Sequence, residues 1–101
     1  MAYSFIYKKR YLKKLEKLLK YLEKDWSKKI ADAFLDRLDK HLISIKHNPL
    51  LGLATTLKDT RSLIITKHNR LYYRIENQRL IILNLIDTRI NPKRNPFKKP
   101  T

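Results

Sequence analysis

The spacing of apolar residues changes once along this chain, and that change limits what it can fold into. Tyr11, Leu15, Leu18 and Leu22 recur every three or four positions, with Leu12 and Leu19 beside them. That is the apolar stripe of an amphipathic helix over residues 8–24, with Lys13, Lys14, Lys17, Lys20 and Lys24 on its other face. Asp25-Trp26-Ser27 interrupts the stripe, and Trp26 is expected to pack at the join. Ser27 is a suitable N-cap for a second helix, because its hydroxyl can accept an otherwise unpaired backbone N–H. Ile30, Phe34, Leu38, Leu42 and Ile45 carry that helix to about residue 47, where the residue ahead of Pro49 is pushed out of helical geometry. A join this short makes the two helices an antiparallel hairpin.

The remaining apolar segments read as strands. Tyr3-Ser4-Phe5-Ile6-Tyr7 alternates and forms a first short strand. Residues 48–59, with Pro49 and the single glycine Gly52, form a loop. Three runs follow at roughly 61–67, 70–76 and 79–86, joined at His68-Asn69 and Asn77-Gln78, which suit tight hairpin turns. The expected architecture is α+β: a helical hairpin packed on a small antiparallel sheet, in the order β-α-α-β-β-β. The domain is expected to span 1–92. Residues 93–101, which are basic and contain two of the four prolines, form a tail without a core. Leu80 to Leu85 are apolar at every position except Asn84. A strand wet on one face should alternate, so this one is expected to be covered on both. The helices cover one face, and a second chain, the 48–59 loop or the tail covers the other.

Charge narrows the function classes. There are 24 Lys and Arg against 9 Asp and Glu, a net +15 in 101 residues. Such a field attracts phosphate backbones, acidic protein segments or anionic lipid. With no cysteine there is neither a disulfide framework nor a thiolate metal site. One glycine cannot build a phosphate-cradling loop. No run of about 18 apolar residues is present to span a membrane, and no signal-peptide pattern is visible, so a cytoplasmic location is expected. His41, His47 and His68 do not form a His-x-x-x-His pair, and Asp32, Asp36 and Asp39 read as ordinary charges on a helix surface. No metal, cofactor or small-molecule substrate is expected.

What remains is a set of cations and tyrosines on the strands. Arg70, Tyr72 and Arg74 share one face of their strand, and Leu71, Tyr73 and Ile75 share the other. A tyrosine flanked by arginines can stack on a splayed base while the cations hold phosphates. Metal-independent RNA cleavage needs a base, an acid and cations at the phosphate. Lys67, His68, Arg70, Arg61 and Arg89 supply such groups. The competing reading is that Arg61 and Arg74 pair with Glu76 and Asp87 across the sheet.

The motifs, taken in order, resemble the RelE/ParE superfamily of type II toxin–antitoxin toxins. They are a strand leading to a Lys/Leu-rich helix, Trp26-Ser27 before a second helix, Asn48-Pro49 with Gly52, Arg61 to Ile65, Tyr72-Tyr73-Arg74-Ile75, and an apolar strand closed by Asp87-x-Arg89-x-Asn91-Pro92. The resemblance covers about residues 3–92. It implies a growth-arresting toxin neutralised by a cognate, often acidic antitoxin, here expected to lie on Leu80, Ile82 and Ile86. It also implies one of two activities. RelE-like members cleave mRNA on the ribosome, which gives Arg61, Lys67, His68, Arg70 and Arg89 catalytic roles and makes Tyr72, Arg74, Lys93 and Arg94 RNA contacts. This tail offers only Phe97 where those enzymes often carry a tyrosine. ParE-like members block DNA gyrase and need no catalytic set. The long second helix leans towards ParE. The basic surface leans towards RelE and puts the ribonuclease first. A basic nucleic-acid-binding module without toxicity is the third alternative.

Overall fold

A computed structural model describes residues 3–88. The elements are β1 (Ser4–Tyr7), α1 (Lys9–Asp25), α2 (Lys28–His47), a 3-10 turn (Pro49–Leu51), β2 (Leu53–Ala54), β3 (Thr60–Thr66), β4 (Asn69–Glu76) and β5 (Arg79–Asp87). The Ser27 side chain caps α2 by accepting the Ile30 N–H at 3.1 Å. The hairpin join is this one capping residue plus Trp26.

The sheet has five strands in the order β1-β5-β4-β3-β2. Strands β3, β4 and β5 form the antiparallel meander expected from sequence. Two features lie beyond that reading. β1 joins the far edge parallel to β5, pairing Phe5 with Leu80 and Tyr7 with Ile82, which the α1–α2 crossover makes possible. The loop after α2 also contributes the two-residue strand β2, paired with β3. The β3–β4 turn is Lys67-His68, one residue earlier than read from sequence. At the β4–β5 turn Asn77 takes φ 56°, a left-handed conformation that asparagine tolerates better than most residues.

Between the helices and the sheet lies the core. Phe34, Leu38, Leu42 and Ile45 of α2 and Tyr11 of α1 meet Ile65, Leu71, Tyr73, Leu80, Ile82 and Leu85. The unbroken apolar run in β5 has a local cause. Tyr72 pairs with Asn84 while Tyr73 pairs with Ile82, so Leu83 is an extra residue, a β-bulge. The bulge shifts the alternation by one, so Leu80 and Ile82 face the helices before it and Leu85 after it. Ile81, Asn84 and Ile86 fall on the opposite face together with Tyr72, and all four are at most 5% exposed. Both faces of β5 are therefore buried within this chain, and no second chain is required to cover them.

Candidate interaction site

On β3, Arg61 stands opposite Tyr73, on the helix-side face of the sheet. Its guanidinium donates to the Gly52 carbonyl at 2.7 Å and the Leu50 carbonyl at 3.3 Å. Tyr73 takes part in the same anchor. Its hydroxyl accepts from the Gly52 N–H and donates to the Pro49 carbonyl. Burial raises the pKa of that hydroxyl above its ordinary 10, against the opposing pull of the Gly52 N–H and the Arg61 charge. The two side chains fix the 49–52 segment to the sheet.

Arg70 stands three residue pairs further along, opposite Ile64, so it lies on the other face of the sheet and about 10 Å away along the strands. It donates to the Ser62 hydroxyl at 2.7 Å. Arg74, on the same face, pairs with Glu76 at 3.3 Å, and Arg79 approaches the same carboxylate at 3.6 Å. Arg74 thus has an acidic partner, but the pair runs along β4 and not across the sheet as the competing reading had it. Arg61 pairs with carbonyls, not with an acid. Lys67 and His68 occupy the β3–β4 turn, which Thr88 ties to the end of β5 through its N–H to the His68 carbonyl at 2.9 Å. Among the described residues, then, Arg70 lies near the Lys67-His68 turn along the strand but on the face away from the helices, whereas His68 lines the helix side, and Arg61 is apart from both. Arg89, Lys93 and Arg94 lie outside the described residues.

Two groups of sequence-derived candidates need correction. Tyr72 is 2% exposed, so its ring cannot offer a face to an incoming base. Leu80 and Ile82 are fully buried beneath the helices, because the register with β4 turns them into the core, so neither can serve as antitoxin contact surface. Ile86 is also buried, on the opposite face.

Exposed apolar surface is found elsewhere, at the closed end of the helical hairpin. Trp26 is 67% exposed, where the sequence reading had it packed away, and Tyr21 and Ile30 are about half exposed. They rim an open groove of about 460 Å³ whose apolar wall includes Leu18, Leu22 and Phe34. His68, Asn69 and Asp87 from the sheet corner close its polar side, together with Arg37. The groove therefore joins an aromatic patch to the cationic corner. Sequence reasoning missed it because Tyr21 and Trp26 fall at the margin of the α1 stripe and in the join, and their exposure depends on how the two helices meet.

Among the described residues no group of three or more His, Cys, Asp or Glu is placed to hold a metal ion, and no helix is long and apolar enough to cross a membrane.

The sequence profile described as the ParE toxin of the type II toxin–antitoxin system parDE matches residues 5–92. The chain belongs to the ParE toxin family. It is a type II toxin of the RelE/ParE superfamily, and its two helices on a five-stranded sheet are that superfamily's fold. Several solved structures are similar to this ParE-family chain. A chain of the chromosomal ParDE system from P. aeruginosa superposes with a TM-score of 0.71 at 11% identity, over 84% of this chain and 95% of that one. A copper-bound mutant toxin from Helicobacter pylori gives 0.63 at 22% identity, over 85% and 94%. A YoeB/ParE toxin from Agrobacterium tumefaciens gives 0.61 at 15% identity, over 83% and 97%. At these identities the likeness is one of fold. No curated protein sequence matches the chain.

Proposed function

We propose that this ParE-family toxin arrests growth by binding and inhibiting DNA gyrase, and that it does so without cleaving RNA. The family match over 5–92 carries this reading. The geometry supports it. Of the cations the sequence reading gave catalytic roles, Arg61 is engaged with the Gly52 and Leu50 carbonyls on one face of the sheet, while Arg70 lies on the other. A cleavage site needs its groups converging on one phosphate. This order reverses the one that charge alone favours.

The partner in the cell is a cognate antitoxin, and charge complementarity with a +15 chain favours an acidic one. With Leu80 and Ile82 inside the core, its apolar contacts fall on the Trp26 groove. Aromatic anchors beside a pocket are what a partner segment buries most productively.

Ribosome-dependent mRNA cleavage is the second reading, supported by the cations Lys67 and His68 at the β3–β4 turn with Arg70 following them in β4. Induction of the chain in cells separates the two. The gyrase reading expects growth arrest with a DNA-damage response and intact messages, relieved by co-expressing the neighbouring antitoxin gene. Messages cut at codons in the ribosomal A site, without a damage response, would replace it with the second reading.

A further inference from the structure

The first half of α1 presents an outer face that lines neither the core nor the groove. Among the described residues, an open concavity of about 410 Å³ is lined by Lys9, Arg10, Lys13, Lys14 and Lys17, all exposed. Lys20 and Lys24 continue the row one and two turns on. At about 100° per residue these seven cations fall within an arc of roughly 140° and span about 22 Å of helix. The acids Glu16 and Glu23 fall outside that arc. Glu16 is paired with Lys20 at 2.9 Å, and among the described residues the other six form no salt bridge.

We propose that this face of α1 binds double-stranded DNA through its phosphate backbone. Three observations select this occupant. A protein partner would need a desolvated apolar centre, and lysine is depleted in such centres, whereas the described residues that line this concavity are all lysine or arginine. Single-stranded nucleic acid would need aromatic platforms. None of the described residues lining the concavity is aromatic; Tyr7, beside it, is stacked with Phe5 at 5.8 Å and Tyr11 at 5.9 Å between centroids, and Tyr21, beside Lys20, lines the Trp26 groove. A straight, rigid row of cations matches the regularly spaced phosphates of a duplex, and each phosphate neutralised releases counterions. The contact is independent of sequence, and the concavity shares no lining residue with the Trp26 groove. It gives the toxin its own hold on DNA, whatever protein it inhibits.

The test is an anisotropy titration of a labelled duplex of arbitrary sequence with the full chain at several salt concentrations. Lys9→Gln/Lys13→Gln/Lys17→Gln should weaken binding at least tenfold at low salt. It should also make the slope of log K against log salt shallower by about 2.7, because each neutralised phosphate contributes about 0.9. Glutamine is a good helix former, so the helix should persist, which circular dichroism verifies. The charge-matched variant Lys40→Gln/Lys46→Gln/Lys58→Gln should keep the parental slope. An unchanged slope in the α1 variant, an equal loss in both variants, or tighter binding of a single strand or an acidic peptide of the same charge would each overturn the proposal.

Discussion

The Gly52 backbone N–H donates to the Tyr73 hydroxyl at 2.9 Å, and the same hydroxyl donates to the Pro49 carbonyl at 2.7 Å. The chain's single glycine is there because of closeness, not because of an unusual backbone angle. A Cβ at position 52 would sit 2.7 Å from the Tyr73 oxygen and 2.8 Å from the Ser62 carbonyl oxygen. Gly52→Ala should therefore push the 49–52 segment off the sheet and lower stability by about 1–3 kcal/mol, the usual cost of overpacking. Tyr73→Phe should cost about 1–3 kcal/mol by leaving the buried Gly52 N–H unpaired. Because both act on one contact, the double variant should lose less than the sum, as urea denaturation of the four proteins will show.

Alkaline pH should unfold the protein through its buried tyrosines. Burial pushes the Tyr11 hydroxyl up to about 12, with smaller contributions from Tyr7 and Asp39. Tyr7 and Tyr73 are also raised above 10. An unfolded tyrosine loses its proton near pH 10, so above that pH the unfolded chain holds fewer protons than the folded one and stability falls as pH rises. These groups contribute no slope below pH 10. The melting temperature should drop between about pH 10 and 12, and Tyr11→Phe should drop less over that window than the parent.

The start of α2 depends on one side chain. Removing the Ser27 hydroxyl orphans the Ile30 N–H, and Ser27→Ala should cost about 1 kcal/mol. Ser27→Asp, which can still accept that bond, should retain most of the stability in the same thermal melt.

Antitoxin affinity should separate from stability. Trp26→Ala and Tyr21→Ala alter exposed side chains on the groove rim, so each should weaken antitoxin binding by tenfold or more in calorimetry with little change in melting temperature. Leu80→Ala and Ile82→Ala should instead cost about 2–5 kcal/mol of folding free energy, because they empty volume under the helices. Selective loss of binding in the core variants would reverse this assignment.

The difference between those two pairs also marks how far the sequence could be read. The periods of α1 and α2, the Ser27 cap and the β3–β4–β5 meander were legible, because each is written in local spacing. The faces of β4 were legible too, with Arg70, Tyr72 and Arg74 set against Leu71 and Tyr73. What could not be read was set by pairing between distant segments. The extra residue at Leu83 moves Ile81 and Ile86 to the opposite face from Leu80, Ile82 and Leu85, and no local pattern announces it. The parallel addition of β1 to β5 and the burial of Tyr72 follow from the same sheet assembly. Arg61 looked like part of a cationic cluster with Arg70 because both are arginines on adjacent strands. Only the register, Arg61 opposite Tyr73 and Arg70 opposite Ile64, puts them on opposite faces.

The proposed inhibition of DNA gyrase is read in the supercoiling of relaxed plasmid by purified gyrase in the presence of a molar excess of the purified chain. Supercoiling should be lost, and restored when antitoxin is added. Full supercoiling even at a large molar excess of toxin would exclude gyrase as the target.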